Sequence, residues 1–517
     1  MPTRTWQKIA VAAALTMATA ASNAQDAATT TVPTGTLTIG WEWDPRTMDP
    51  QAHRERFTQI ISHTMRDKLA YQPAPGLKAG LLLAESVTQV DDLNYDVKIR
   101  EGVKFHDGTE MTSDDIVYTF ERLWDPANKS PRAAMGKMAS IEGIKALDRY
   151  TVRWTTKVPF GPVEDAIEGF HLGGQEILQK AYYEKLSLDE ARTAPVMGAG
   201  PFKFVEWVPD QRIVMDAFGD YWQGAPGVER IIWRTIPEEA TRVAELLAGS
   251  VDMVYPVSPD FVGQLKAAGM KMEIVPGTTI RALNMNVREG SPFHDVEVRK
   301  AMNMAFDKAS ITENLYQGLA IPFEQVAGAG QEGFIEGYDP FPYDADKARA
   351  ILSKVTQPIE LLAQGQWELP AEVIAETLRS YGMNVKTVIL ENAAYAKATE
   401  EGSFDLAFDG AGYGTGRFSG GYYNDHFGCA RLEANRIRTG FCDPELDAKM
   451  DAALAATDPA ARQALIEEVV KLLSETHVPW VPMYGVAGVW AMQPYVEGFV
   501  GSAAGQMFDL QNVTLNK

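Results

Sequence analysis

Alternating apolar and polar positions along the chain predict short β-strands separated by amphipathic helices. Period-two alternation is typical of half-buried strands, whereas apolar residues every three to four positions indicate helices. The predicted strands span residues 36–40, 95–100, 151–157, 202–207, 212–217, 231–236, 280–287, 359–363, 384–390, 405–408 and 480–484. The predicted helices span residues 59–69, 112–123, 237–247, 296–306, 347–354, 370–381, 444–455 and 460–475. This order of elements predicts mixed α/β lobes.

Two features of this pattern concern domain organisation. The strand at 359–363, the helix at 370–381 and the strand at 384–390 form one strand-helix-strand unit, which predicts parallel pairing and a right-handed crossover. The chain has 517 residues, and single hydrophobic cores rarely grow beyond about 250–300 residues. The sequence therefore predicts more than one domain.

The first 24 residues have the pattern of a secretory signal peptide. Arg4 and Lys8 precede an apolar run over residues 9–20, and Ser22-Asn23-Ala24 is a small-x-small cleavage pattern. The run is shorter than the roughly 20 residues that a membrane span needs. Cysteine is absent from the cleavage site, so a lipid anchor is not expected. We predict an exported protein that begins with a Thr-rich spacer over residues 25–34.

The charge balance narrows the choice of partners. Lys and Arg total 48 against 69 Asp and Glu, which gives a net charge of −21, and cleavage after Ala24 would make it −23. A chain this acidic is repelled by phosphate backbones and anionic lipid surfaces. Nucleic acid is therefore not an expected partner.

Cys429 and Cys442 are the two cysteines of the chain. In an exported protein, a pair this close in sequence favours a disulfide over a metal site, with two buried thiols as the alternative. Such a bridge closes a loop of about 14 residues, which is worth roughly 3 kcal/mol on chain-entropy grounds.

A search for catalytic motifs finds none. The sequence contains no G-x-x-x-x-G-K-[ST], H-E-x-x-H, G-x-S-x-G or C-x-x-C motif, and the glycines at 410–416 do not fit the G-x-G-x-x-G spacing. His106, beside Asp107, is the most plausible base, but it lies in a tight turn where a structural role is expected. No enzymatic activity, resident metal or cofactor is predicted.

Aromatic residues near predicted turns indicate a solute cleft instead. Trp43, Trp367 and Tyr413 follow predicted strands, and residues 410–421 combine six glycines with Arg417. Aromatic faces with a few charged groups suit a cleft that binds an amphipathic solute. Ordinary core or surface packing of these aromatic residues is the alternative.

Several longer motifs occur in one order along the chain. They cover residues 83–86, 95–108, 112–120, 200–202, 220–224, 298–308 and 478–482. In these motifs the chain resembles the extracellular solute-binding proteins of ABC importers, specifically the peptide/nickel/opine group, family 5. The resemblance covers almost everything after the spacer.

The resemblance implies a two-lobed periplasmic binding protein of the class II, cluster C-like type, with an additional domain inserted in lobe I. Lobe I would combine residues 35–60, 190–277 and 488–517, the insert would span 61–189, and lobe II would span 278–487. The chain would cross between lobes near Thr278 and Gly485-Val486. The resemblance also implies a monomer in the periplasm that delivers a small peptide-like solute to an ABC permease of the inner membrane.

The expected solute site departs from the family pattern at one place. Peptide binders carry an aspartate for the peptide ammonium in the segment that matches residues 410–427, whereas this chain has Arg417 and no carboxylate at 414–421. Arg417 with Arg281 is therefore predicted to clamp a carboxylate, and Asp409 or Asp425 to contact an ammonium. Opine-like, glutathione-like or other anionic solutes and metal chelates remain alternatives, and a secreted hydrolase is the alternative of another class.

Overall fold

The computed structural model describes residues 32–53, 55–71, 80–131, 141–161, 175–277, 279–411, 422–423, 426–429, 439–501 and 508–517. The predicted signal peptide lies outside these residues. The strands are β1 (Thr36–Trp41), β2 (Ala70–Tyr71), β3 (Gly80–Leu81), β4 (Ala84–Gln89), β5 (Asn94–Ile99), β6 (Ile141–Asp148), β7 (Thr151–Thr156), β8 (Phe202–Val208), β9 (Arg212–Ala217), β10 (Arg230–Thr235), β11 (Met253–Tyr255), β12 (Lys271–Val275), β13 (Ile280–Met285), β14 (Ala320–Pro322), β15 (Ile359–Gln364), β16 (Val385–Leu390), β17 (Leu406–Ala411), β18 (Trp480–Val486), β19 (Gly488–Met492), β20 (Val496–Glu497) and β21 (Thr514–Leu515).

Helices connect and cover these strands. The α-helices are α1 (Arg56–Met65), α2 (Ser113–Trp124), α3 (Lys180–Tyr183), α4 (Leu188–Ala191), α5 (Glu239–Leu247), α6 (Pro259–Ala267), α7 (Val296–Met304), α8 (Lys308–Tyr316), α9 (Ala345–Leu352), α10 (Glu368–Ser380), α11 (Asn392–Glu401), α12 (Pro444–Ala455) and α13 (Pro459–Lys471). Short 3₁₀ turns span Pro126–Asn128, Pro292–His294 and Gly365–Trp367, and a π-helical turn spans Leu472–His477. None of the helices in this part of the chain is long and apolar enough to cross a membrane.

The first large sheet has seven strands in the order β12-β19-β11-β1-β10-β9-β8. Strand β1 pairs in parallel with β10 and β11, and the other neighbours are antiparallel. Alternate residues of β1, Leu37, Ile39 and Trp41, enter one core with Trp233 of β10. This alternation is the pattern that predicted the strand, because successive side chains of a strand point to opposite faces.

The second large sheet has six strands in the order β14-β18-β13-β17-β15-β16. Strands β15 and β16 pair in parallel, as the strand-helix-strand pattern predicts, and β15 also pairs in parallel with β17. Helix α10 lies between β15 and β16 in sequence and buries Ala371, Ile374 and Leu378 in the core of this sheet. Those residues recur at helical spacing, so the predicted unit is confirmed.

A third, four-stranded sheet, in the order β4-β5-β7-β6, is antiparallel throughout. Helix α2 packs on it through Phe120, whose ring lies 4.7 Å from that of Trp154. The predicted cap of α2 is present, since the backbone N–H of Thr112 donates to the Asp115 carboxylate at 2.9 Å. All four strands fall in the chain between β1 and β8 of the seven-stranded sheet, as expected for an insertion.

Some elements differ from the predicted pattern. The helix predicted at 59–69 spans Arg56–Met65, and the one predicted at 460–475 gives way to the π-helical turn after Lys471. Helices α8 and α11 were missed because polar residues occupy their buried positions. The buried residues of α8 are Lys308 and Thr312, so no apolar stripe marks that helix.

The two large sheets are joined by two crossings of the chain. The first runs from β12 to β13 through residues 276–279, of which 278 lies outside the described part, and the second runs from β18 to β19 through Ala487. The crossings touch, because a Cβ on Gly277 would lie 2.0 Å from the carbonyl oxygen of Val486 and one on Gly485 would lie 2.3 Å from that of Gly277. Glycine is therefore required at both positions for this backbone contact.

A cavity of about 220 Å³ is lined by Asp67 together with His63, Tyr221 and Asp509. The Asp67 carboxylate accepts hydrogen bonds from Trp222 Nε1 at 2.8 Å and from the Tyr221 hydroxyl at 3.3 Å. Burial raises the pKa of Asp67 to about 7; the two hydrogen bonds oppose this rise, and the nearby Asp509 adds to it. At a pH between these two pKa values, the folded protein therefore holds a proton on Asp67. The unfolded chain, with a carboxyl pKa near 3.9, has lost that proton.

This difference predicts a pH-dependent stability. Because the pKa of Asp67 is raised on folding, its contribution to stability is fully present well below pH 4 and is lost as the pH rises from about 4 through 7. We expect the urea midpoint of Asp67→Asn to fall less than that of the wild type between pH 5 and pH 8. The exposed control Asp92→Asn should follow the wild type. Equal losses in wild type and Asp67→Asn would contradict the assignment.

Candidate functional site

The carboxyl ends of parallel strands meet at one edge of the six-stranded sheet. Strands β15, β16 and β17 all end there, and β13, antiparallel to β17, begins there. Trp367 lies in the 3₁₀ turn after β15, Asp409 lies near the end of β17, and Arg281 is the second residue of β13. Ligands of open α/β sheets bind at such edges.

Arg281 and Trp367, both predicted as solute contacts, are brought together here. The guanidinium carbon of Arg281 lies 4.1 Å from the centre of the Trp367 ring, in cation–π geometry. Burial lowers the pKa of Arg281, and the charge of Asp409 partly offsets this effect. Among the described residues, no ion pair or hydrogen bond joins the guanidinium to another side chain, and its buried Nε has no partner. The group is thus placed to bind an anion.

Asp409 lies near the Arg281 guanidinium, but the two residues do not pair directly in the sheet. In the register of β13 and β17, Asp409 pairs with Ala282, whereas Arg281 pairs with Gly410. Since directly paired residues share a face and successive residues alternate, the pattern directs the side chains of Arg281 and Asp409 to opposite faces. Asp409 therefore acts on Arg281 through its charge.

Two tyrosines missed by the sequence analysis complete the surroundings of Arg281. Tyr484 of β18 pairs in register with Arg281, and the hydroxyl of Tyr316 donates to that of Tyr484 at 3.0 Å. Burial raises the pKa of both hydroxyls, so both stay protonated at neutral pH. Tyr484 ends a predicted strand, and this position at a strand end is the sequence feature that could have indicated a site residue. Tyr316 ends α8, which the pattern did not predict.

The seven-stranded sheet also presents its carboxyl edge, at the ends of β1, β10 and β11. Trp43, a predicted solute contact, follows β1 and is 55% exposed. Tyr255, at the end of β11, stacks on both Trp41 and Trp490, at 4.8 and 4.4 Å between ring centres. This stacking fixes the wall of the cleft on that side.

A cavity of about 300 Å³ lies between the two edges, beside the crossings. Glu42, Arg242 and Tyr255 line it from the seven-stranded side, and Tyr316 with the crossing segment 486–489 lines it from the other. Tyr316 also donates to Tyr484, which pairs in register with Arg281, so the cavity lies next to the Arg281 group.

Three predicted site residues, Tyr413, Arg417 and Asp425, lie outside the described residues. The proposed clamp of Arg281 with Arg417 therefore stays a prediction. The predicted disulfide is confirmed, since Cys429 and Cys442 are bonded to each other. The backbone N–H of Cys429 also donates to the Asp447 carboxylate at 3.0 Å, which ties the bridge to α12.

The described part of the chain also bears on metal binding and on the role of His106. No group of three His, Cys, Asp or Glu side chains there could hold a metal ion. His106 Nε2 is 3.0 Å from the carbonyl oxygen of Gly200, and burial lowers the pKa of His106 to about 4. This neutral histidine therefore secures a turn, as the sequence analysis expected.

Comparison with known proteins identifies the family. Heme-binding protein A of Haemophilus influenzae is 26% identical over 456 residues, which are 82% of this chain and 82% of that protein. Glutathione-binding protein GsiB of Escherichia coli O6:K15:H31 is 27% identical over 473 residues, 88% of this chain and 89% of that protein.

A solved structure of a binding protein has a similar fold. The binding protein AgaA of A. tumefaciens R10, in complex with agropinic acid, superposes with a TM-score of 0.77 at 25% identity, covering 93% of this chain and 99% of AgaA. The family description "Bacterial extracellular solute-binding proteins, family 5 Middle" matches residues 78–429, more than half of the chain. The fold is thus that of a two-lobed periplasmic binding protein, and the chain belongs to the bacterial extracellular solute-binding proteins of family 5.

Proposed function

We propose that this protein binds a peptide or peptide-like solute with a free carboxylate between its lobes, and delivers it to an ABC permease of the inner membrane without catalysis. The observation that carries the proposal is Arg281, a largely buried cation stacked on Trp367 with no anionic partner in hydrogen-bonding range among the described residues. A buried charge is costly unless it is paired, so the unpaired guanidinium favours an anionic solute.

The relatives support this chemistry. Heme, glutathione and agropinic acid, the molecules in the names of the similar proteins, all carry carboxyl groups. Glutathione is itself peptide-like. Arg281 would bind the carboxylate, Trp43 and Trp367 would pack on the solute, and Arg417, Tyr413, Asp409 and Asp425 remain proposed contacts.

The proposal also covers the compartment of the protein and the bounds of its domains. Residues 1–24 would direct a monomer to the periplasm. Lobe I would comprise 35–60, 190–277 and 488–517, the insert 61–189, and lobe II 278–487. The three sheets support this division, because each draws its strands from one of these sets.

Native mass spectrometry of protein purified from its own periplasm tests the proposal. We expect one protein chain with a bound solute that contains a carboxyl group, of unchanged mass after hours of incubation. A bound solute without a carboxyl group would reject the role of Arg281, and cleavage of the solute would favour a hydrolase.

A further inference from the structure

The two sides of the cleft differ in charge. Among the described residues, Arg281 supplies a cation on the side of the six-stranded sheet, whereas Glu42 and Glu239 line the cavity from the other side with Arg242 as their neighbouring cation. The lining on that side therefore carries one more negative than positive charge. A cleft with an anionic and a cationic side is complementary to a solute that carries both charges.

Arg242 forms an ion pair with Glu42, but it donates its hydrogen bonds to other groups. Its Nη1 donates to the backbone carbonyls of Ile236 and Pro237 at 2.8 and 2.7 Å, and its Nη2 donates to that of Pro256 at 3.3 Å. The nearest approach to the Glu42 carboxylate is 3.6 Å, longer than a hydrogen bond.

Glu239 and Glu42 also differ in what they bind. The Glu239 carboxylate accepts the backbone N–H of Ser258 at 2.5 Å, which fixes it at the start of α6. Burial raises the pKa of Glu42; Arg242 opposes this rise, and Glu239 adds to it. A cationic hydrogen-bond donor would therefore stabilise the charged form of the half-buried Glu42 carboxylate.

Aromatic rings from both sides of the cavity also suit an ammonium group. Tyr255 and Tyr316 line the cavity beside Glu42, and ring faces attract cations. Tyr316 lines the cavity and its hydroxyl donates to that of Tyr484, which pairs in register with Arg281, so Arg281 lies next to the far wall of the cavity.

Building on the proposed function, we infer that Glu42 forms the ammonium subsite, so that the solute is a zwitterion with its ammonium at Glu42 and its carboxylate at Arg281. This subsite differs from the two aspartates that the sequence pattern suggested. It also replaces the carboxylate that is missing at residues 414–421.

Matched peptide mixtures test the subsite. The probes are Ala-X-Ala tripeptides with all natural side chains at X, the same mixture with an acetylated amino terminus, and the same mixture with an amidated carboxyl terminus. Binding to the mature protein, freed of endogenous solute by unfolding and refolding, is measured by native mass spectrometry and titration calorimetry. We expect acetylation to weaken binding at least about 10-fold, and Glu42→Gln to weaken binding of the free tripeptides equally while leaving the acetylated ones unaffected.

The control and the contrary outcomes separate this inference from the proposed function. Glu206→Gln removes the same charge from an ion pair with Arg212 on the same sheet, outside the cavity, and should bind like the wild type. If the wild type binds free and acetylated tripeptides equally well, or Glu42→Gln loses both alike, the subsite is rejected while peptide binding stands. If the wild type binds none of the mixtures at millimolar concentration, the proposed function fails and the subsite with it.

Discussion

Replacement of Arg281 by alanine is expected to weaken binding of a carboxylate-bearing solute at least about 100-fold. Removing one partner of a buried, hydrogen-bonded charge pair costs 2–5 kcal/mol, and 2.7 kcal/mol corresponds to a factor of 100. Arg281 meets the conditions for such a loss, since it is largely buried and stacked at 4.1 Å on Trp367. Titration calorimetry with free and C-amidated tripeptides provides the measurement.

Two further variants test whether the loss of binding comes from the guanidinium of Arg281. Arg281→Lys keeps the charge but not the planar pair of donors, so we expect an intermediate loss. Arg349→Ala removes a comparable arginine, which lies over the Tyr381 ring at 5.5 Å on the same lobe, and should leave binding unchanged. The carboxylate contact is wrong if Arg281→Ala binds free tripeptides as the wild type does, or if amidation costs the wild type nothing.

Alanine at Gly277 is expected to destabilise the folded protein by about 1–3 kcal/mol, the usual cost of overpacking a close contact. The new Cβ would lie 2.0 Å from the Val486 carbonyl oxygen and 2.4 Å from the carbonyl carbon, so the two crossings would have to separate. Both neighbouring atoms belong to the backbone, which cannot yield as a flexible side chain does. The free energy of unfolding in urea provides the measurement.

Gly219→Ala is the matched control for this change. Gly219 lies in the same lobe, and a Cβ there would meet no atom within 4 Å. That variant should be neutral or slightly stabilised, because alanine reduces the freedom of the unfolded chain. If Gly277→Ala unfolds at the same urea concentration as the wild type, the crossings are not held by this contact.

Much of the fold follows from local pattern. Strand β1 and the β15-α10-β16 unit were predicted because their apolar residues recur with the period of the element and enter a single core. Helix α8 was not predicted, because the tertiary structure buries Lys308 against Glu324, a contact between residues 16 positions apart that no local period reports.

The site was predicted in part. Arg281 and Trp367 were selected by residue type and position near strand ends, and the structure places them in contact. Glu42 and Tyr316 were missed, since their importance comes from a cavity that two sheets form together. The register of β13 and β17, which separates Asp409 from Arg281, is likewise a property of pairing between distant segments.

The two crossings that join the large sheets meet at the contact of Gly277 with Gly485 and Val486. Both connections between the lobes therefore pass through one place. A hinge motion that parts the lobes about this place would widen the cleft most at the margin opposite the crossings. The cavity beside Val486 would then open least.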